Sequence, residues 1–170
     1  MSYAYLKVQV AACCLLLLTA APCLAGPTAY TGLYTDADHS ICRADVPAPY
    51  VIFTCWHWVL PSDNGAMCAE YKIQIPPTCL NTATVLNPAH SVALGDPTVG
   101  ISICFAECQT DWFWTSQLSI LPTSTIVQVI ELVGHPDTGV YQLANCEAGY
   151  PVEPVLLLNN LHINEDCGGP

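Results

Sequence analysis

Between residues 66 and 75 the chain alternates strictly, with Met67, Ala69, Tyr71, Ile73 and Ile75 on one side and Cys68, Glu70, Lys72 and Gln74 on the other. A period of two is what a strand with one buried and one wet side requires. Val99, Ile101, Ile103 and Phe105 share a face in the same way, opposite Gly100, Ser102 and Cys104. The stretch 125–133 is apolar on both sides apart from Gln128 and Glu131, which predicts a central strand. Pro, Gly and Asn/Asp clusters interrupt segments rich in Val, Ile, Thr, Tyr and Trp about every ten residues, and no segment carries a helical period. Strands are predicted over 30–35, 50–59, 66–75, 83–86, 99–105, 113–121, 125–133, 140–145 and 155–158, with a further piece at 161–164. Short, half-buried strands of this kind need a second layer, so the expected fold is all-β, a two-sheet antiparallel sandwich of about eight to nine strands.

The first residues stand apart from this pattern. Lys7 precedes an apolar run over 8–18, and Pro22 then breaks the run ahead of small residues up to Ala25. This is the layout of a secretory signal peptide cleaved after Ala25. The uninterrupted apolar stretch is shorter than the ~20 residues of a bilayer-spanning helix, and no other segment is long enough. The expected organisation is a signal peptide over 1–25 and a single β-sandwich domain over 26–170, secreted or held in the cell envelope, with no membrane span in the mature chain. Lys7 leaves with the signal, so only Arg43 and Lys72 face 14 acidic residues, a formal mature charge of −12. So acidic a surface repels phosphate backbones and anionic lipid, which excludes nucleic acid as a partner.

Export changes the reading of the cysteines. Removing Cys13, Cys14 and Cys23 leaves Cys42, Cys55, Cys68, Cys79, Cys104, Cys108, Cys146 and Cys167. An even set in an oxidising compartment predicts a disulfide-braced domain with four bridges, each stabilising by roughly 2 to 4 kcal/mol. Connectivity does not follow from sequence, although proximity favours Cys104 with Cys108 and Cys146 with Cys167. No paired C-x-x-C knuckle points to zinc.

The order of features resembles secreted bacterial sandwich domains of cohesin-like or immunoglobulin-like layout. The residues that carry it are Gly32-Leu33-Tyr34-Thr35-Asp36, Val51-Ile52-Phe53, the run from Leu94-Gly95-Asp96-Pro97 to Ile101-Ser102, and Gln142-Leu143-Ala144-Asn145-Cys146. The resemblance spans most of the mature chain and implies a fold rather than an activity. Cohesins belong to polysaccharide-degrading assemblies and bind calcium-loaded dockerin partners. This sequence contains no dockerin-type calcium loop, and no recognition residue carries over.

Candidate chemistry is sparse. Trp56 with Trp58 and Trp112 with Trp114 are two apart, the spacing that points two side chains the same way on a strand. Exposed, such pairs form platforms for sugar rings, and Glu107, Gln109 and Asp111 stand ahead of the second pair to bind hydroxyls. Buried, they fill the space between sheets, which is the favoured reading for at least one pair. Asp36 and Asp38 lie in an oxygen-rich loop without EF-hand spacing, which leaves calcium as the one cofactor considered. His39, His57, His90, His135 and His162 are scattered, and His135-Pro136-Asp137 reads first as a turn. The sequence therefore points to a non-catalytic exported binding or structural module whose partner is an unknown extracellular protein or polysaccharide. The alternatives are a carbohydrate-binding module built on the tryptophans and a small secreted hydrolase.

Overall fold

The computed structural model describes residues 28–167, so the expected signal segment lies outside the described residues. In chain order the strands are β1 (Tyr30–Tyr34), β2 (Arg43–Ala44), β3 (Phe53–Leu60), β4 (Ala66–Gln74), β5 (Cys79–Leu86), β6 (His90–Asp96), β7 (Gly100–Gln109), β8 (Phe113–Pro122), β9 (Gln128–Val133), β10 (Gln142–Ala144), β11 (Val152–Pro154), β12 (Leu157–Asn159) and β13 (Leu161–Ile163). One sheet has the order β12-β1-β3-β8-β5. In the other, β6, β7 and β4 lie side by side, and the far edge of β4 is shared. Cys68–Glu70 pair with β10, which carries β11, and Lys72–Gln74 pair with β9, which carries β13 and β2.

The sandwich expected from the alternation is present, with thirteen strands because several are pieces of two or three residues. Both sheets are mixed: pairing is antiparallel except where β12 joins β1 and β2 joins β13 in parallel. β4 buries Ala69, Tyr71 and Ile73 and turns Glu70, Lys72 and Gln74 outward, and Ile101, Ile103 and Phe105 of β7 are buried beside it. Local expectations differ at several places. Val99 is exposed in the β6–β7 turn, Ile126 and Val127 are exposed ahead of β9, and residues 90–96 form a strand where none was expected.

The space between the sheets holds one polar cluster within an otherwise apolar core. Thr31 of β1, His57 of β3, and Thr115 and Ser116 of β8 face Tyr71 of β4 and Tyr141 from the segment before β10, and all six are buried. A β-bulge places them: His57 pairs with Ser116 but Trp58 pairs with Trp114, so Thr115 is an extra residue and both hydroxyls of β8 point inward. Thr31 Oγ1 donates to the Trp58 carbonyl at 2.8 Å, so its contact with His57 Nε2 at 2.7 Å needs the proton on Nε2. Nδ1 is then the acceptor for Thr115 Oγ1 at 2.5 Å. Thr115 in turn lies 2.6 Å from the Tyr71 hydroxyl, which lies 3.0 Å from Ser116 Oγ. Protons run head to tail from Ser116 through Tyr71, Thr115, His57 and Thr31 to a backbone carbonyl, and Tyr141 joins at Thr31 at 3.0 Å. This direction belongs to a neutral imidazole, and burial keeps it neutral, pushing the His57 pKa down to about 3.

The bridges differ from the sequence expectation. They are Cys42–Cys167, Cys68–Cys104 and Cys108–Cys146. Neither pairing favoured by proximity forms: Cys104 and Cys108 lie on one strand, and their partners come from neighbouring segments brought alongside by the sheet. Cys55 and Cys79 are buried thiols with no bridge among the described residues, so the expectation of four bridges is corrected to three. Cys55 pairs with Leu118 and Cys79 with Pro122, four residues apart along β8, too far for a sulfur–sulfur bond. Burial raises the Cys55 thiol to about 12, which keeps it protonated and unreactive.

Two outcomes follow from this core. Thiol titration of the oxidised mature protein in denaturant, without reductant, should find two thiols per chain, and none that react in the native state. Because His57 is neutral when folded and takes up a proton below its ordinary value when unfolded, stability falls as pH drops from about 6.5 toward 3. Between pH 7 and pH 5 that amounts to about 2 kcal/mol. Denaturant melts of His57→Gln at several pH values should lose this component.

Candidate functional site

The two sheets present very different outer faces. On the eight-stranded sheet the cross-strand register sets up two parallel rows. Val92 of β6, Cys104 of β7, Cys68 of β4, Ala144 of β10 and Val152 of β11 lie opposite one another in turn, and Leu94, Ser102, Glu70, Gln142 and Pro154 form the next row. At about 4.8 Å per strand the five strands make a face roughly 19 Å wide. Val92 and Val152 are more than half exposed at its two sides, and Leu94 is 67 % exposed. The Cys68–Cys104 bridge joins the two middle strands between them.

The second row is polar at its centre. Glu70 accepts hydrogen bonds from Ser102 Oγ at 3.0 Å and from the amide of Gln142, so one carboxylate ties β7 and β10 to β4. His135 Nδ1 lies 3.7 Å from the same carboxylate. A shallow depression of about 190 Å³ opens here, lined by Cys68, Glu70, Ser102, Gln142, Ala144 and Val152. It is too open to enclose a small substrate, and its rims are apolar. Glu153 fixes the outer strand: its carboxylate accepts from Asn64 at 3.0 Å, Asn145 at 2.6 Å and Ser62 at 2.8 Å, and these donors hold it below the usual carboxylate range.

At the lower end of this face the 134–141 turn packs against the start of β7. His135, Thr138 and Gly139 close it through backbone hydrogen bonds, as expected for turn chemistry. Gly100, at φ +144, passes directly beneath it, and a Cβ there would meet Pro136 Cδ at 2.6 Å and His135 Nε2 at 3.0 Å. Asp137 points away, 88 % exposed and 4.0 Å from the imidazole, which fits a turn better than a base held by its carboxylate.

The residues singled out from sequence lie mostly elsewhere. Trp56, Trp58 and Trp114 are on the outer face of the five-stranded sheet, with Trp112 just ahead of β8, all half-buried. Neither pair is in the core, where the inward positions of β3 are Cys55, His57 and Val59. The four indoles form one cluster with Tyr30, Tyr34 and His39. His39 stacks on Trp112 at 4.2 Å, so the chain's own 35–42 loop covers one face of that ring. Glu107 and Gln109 belong to β7 of the opposite sheet, where Gln109 bonds the Glu107 carbonyl, and Asp111 caps the Trp112 amide in the connection. Residues 107–109 are thus strand, and only 110–112 connect β7 to β8. Asp36 spends its carboxylate on the Ser40 and Ile41 amides and the Ser40 hydroxyl, and Asp38 is exposed. Among the described residues no group of three or more His, Cys, Asp or Glu is gathered as a metal site would require. The rows built on β6 were missed because Pro88, Gly95, Asp96 and Pro97 read as loop. The alternation of Val92 and Leu94 was the available signal.

No family model matches the sequence, and no curated protein matches it. Solved structures do share its architecture. A non-cellulosomal cohesin from the hyperthermophilic archaeon Archaeoglobus fulgidus superimposes with a TM-score of 0.57 at 6 % identity, over 82 % of this chain and 93 % of that one. A type II cohesin domain from the cellulosome of Acetivibrio cellulolyticus gives 0.55 at 12 % identity, over 81 % and 96 %. The sixth cohesin of scaffoldin B from the same organism, solved in complex with a Cel5 dockerin, gives 0.53 at 10 %, over 82 % and 100 %. The disulfide-braced all-β sandwich of this chain has the fold of a cohesin domain.

Proposed function

We propose that this protein is a non-catalytic, exported module that binds an extracellular protein partner through the outer face of its eight-stranded sheet. The observation that carries the reading is the face itself: broad, rigidly cross-linked by the Cys68–Cys104 bridge, apolar at Val92, Leu94 and Val152, and without a cleft. Apolar side chains exposed in register at both sides of a five-stranded face suit contact with another macromolecule more than water. The fold supports the same class of function, since cohesins of this architecture have been solved bound to dockerins. Three disulfides suit an oxidising compartment. The buried His57, Thr31, Thr115, Ser116, Tyr71 and Tyr141 are tied into one structural network, and His135 serves its turn, which leaves the hydrolase reading with little support.

The test is retention of proteins from the culture medium of the source organism by the immobilised mature chain, with three variants in parallel. A single extracellular protein held by wild type and by Trp114→Ala, but at least about tenfold more weakly by Val152→Asp at an unchanged melting point, is the expected result. Retention of a polysaccharide that fails in Trp112→Ala and survives in Val152→Asp would transfer the function to the aromatic face.

A further inference from the structure

The eight-stranded sheet ends on β6, which among the described residues pairs with β7 alone. Ser91, Val92, Leu94 and Gly95 are exposed, so no loop among the described residues covers this edge. Its outer side is a row of backbone donors and acceptors that only another extended segment can pair, and proteins ordinarily protect such edges with charge, proline or brevity. The other edges of this sandwich are protected. β5 is broken by a bulge between Asn81 and Ala83, β11 and β12 have three residues each, with Pro154 in the former, and β2 has two. β6 is itself bulged between His90 and Val92, but over Val92–Asp96 its register is unbroken, and from His90 to Gly95 it carries no acidic residue.

We propose that β6 pairs with β6 of a second copy of this chain, antiparallel about a two-fold axis at Ala93. The strand is self-complementary in that register. Val92 lies opposite Leu94 of the second copy and Leu94 opposite its Val92, all four on the outer face, where cross-strand apolar pairs stabilise a sheet. Asp96, the only acidic residue of the strand, falls beside the bulged His90–Ser91 end of the second copy, so the two carboxylates sit at opposite ends of the junction. A net formal charge of −11 sets copies of this chain against one another, and from His90 to Gly95 the β6 edge adds no carboxylate to that repulsion. Such an isologous contact closes on itself and ends in a dimer. It joins two eight-stranded sheets into one and sets the two apolar rows end to end. The inference stands on the edge alone and does not depend on what the outer face binds.

Sedimentation equilibrium of the mature protein up to about 100 µM should give a dimer. Val92→Lys and Leu94→Glu, both at exposed positions, should each weaken it at least about tenfold. In the antiparallel register residue 92 meets residue 94, so the double variant Val92→Lys with Leu94→Glu places each lysine against a glutamate and should dimerise again, now in a salt-sensitive way. Amide exchange should show 91–95 gaining protection as protein concentration rises. A wild type that stays monomeric, single variants that dimerise unchanged, or a natively folded double variant as monomeric as the singles would each overturn the proposal.

Discussion

The arrangement of the two layers depends on a buried imidazole that must remain neutral. His57 has one donor and one acceptor to offer, and the hydroxyls around it use both, so the network fixes the tautomer and the proton direction together. Tyr71 and Tyr141 reach from the eight-stranded side to hydroxyls of the five-stranded sheet, which sets where one sheet lies over the other. An apolar core of the same volume would hold the sheets together with less preference for one alignment. The bulge at Thr115 serves a second purpose. Phe113 and Leu118 are an odd number of residues apart and would face opposite ways in a regular strand, yet both are buried. The extra residue reconciles them and at the same time leaves Trp114 outside, next to Trp58.

How much of this could be read from the sequence depended on whether a residue's neighbours were near it in the chain. The alternation in β4 and in Ile101, Ile103 and Phe105 of β7 reports directly which side is buried, and there expectation and structure agree. The tryptophans lost their assignment because a period of two says that Trp56 and Trp58 point the same way without saying which way. The sign comes from Cys55, His57 and Val59 between and around them, where a histidine in the core is an unexpected choice. The bridges failed for a related reason: Cys104 meets Cys68 because β4 and β7 are partners, a contact 36 residues apart in sequence that local spacing cannot reveal.

The candidate face was harder still to anticipate. Its rows run across five strands and draw one residue from each, so no stretch of sequence contains the pattern. Two of the five strands, β6 and β11, were not expected at all, and both are edge strands whose prolines and glycines look like turns. The division between the two outer faces is nevertheless simple in physical terms. One carries rings that its own 35–42 loop covers through His39, and the other carries aliphatic side chains that nothing among the described residues covers.

The Cys42–Cys167 bridge encloses nearly all of the described chain, a span of 125 residues, and Arg43 beside it bonds Asp45 and Asp166. Tension applied between the two ends of the described chain would travel through residues 28–42, cross the sulfur–sulfur bond and leave at residue 167. Everything between, including the candidate face, would hang from that path without being stretched by it, and the hydroxyl network would meet it only at Thr31. Of the sheets, only β1 lies on the loaded segment, gripped by β3 on one side and β12 on the other. A module built this way keeps its contact surface unstrained when its ends are pulled, and its mechanical weak point is the seam along a single strand.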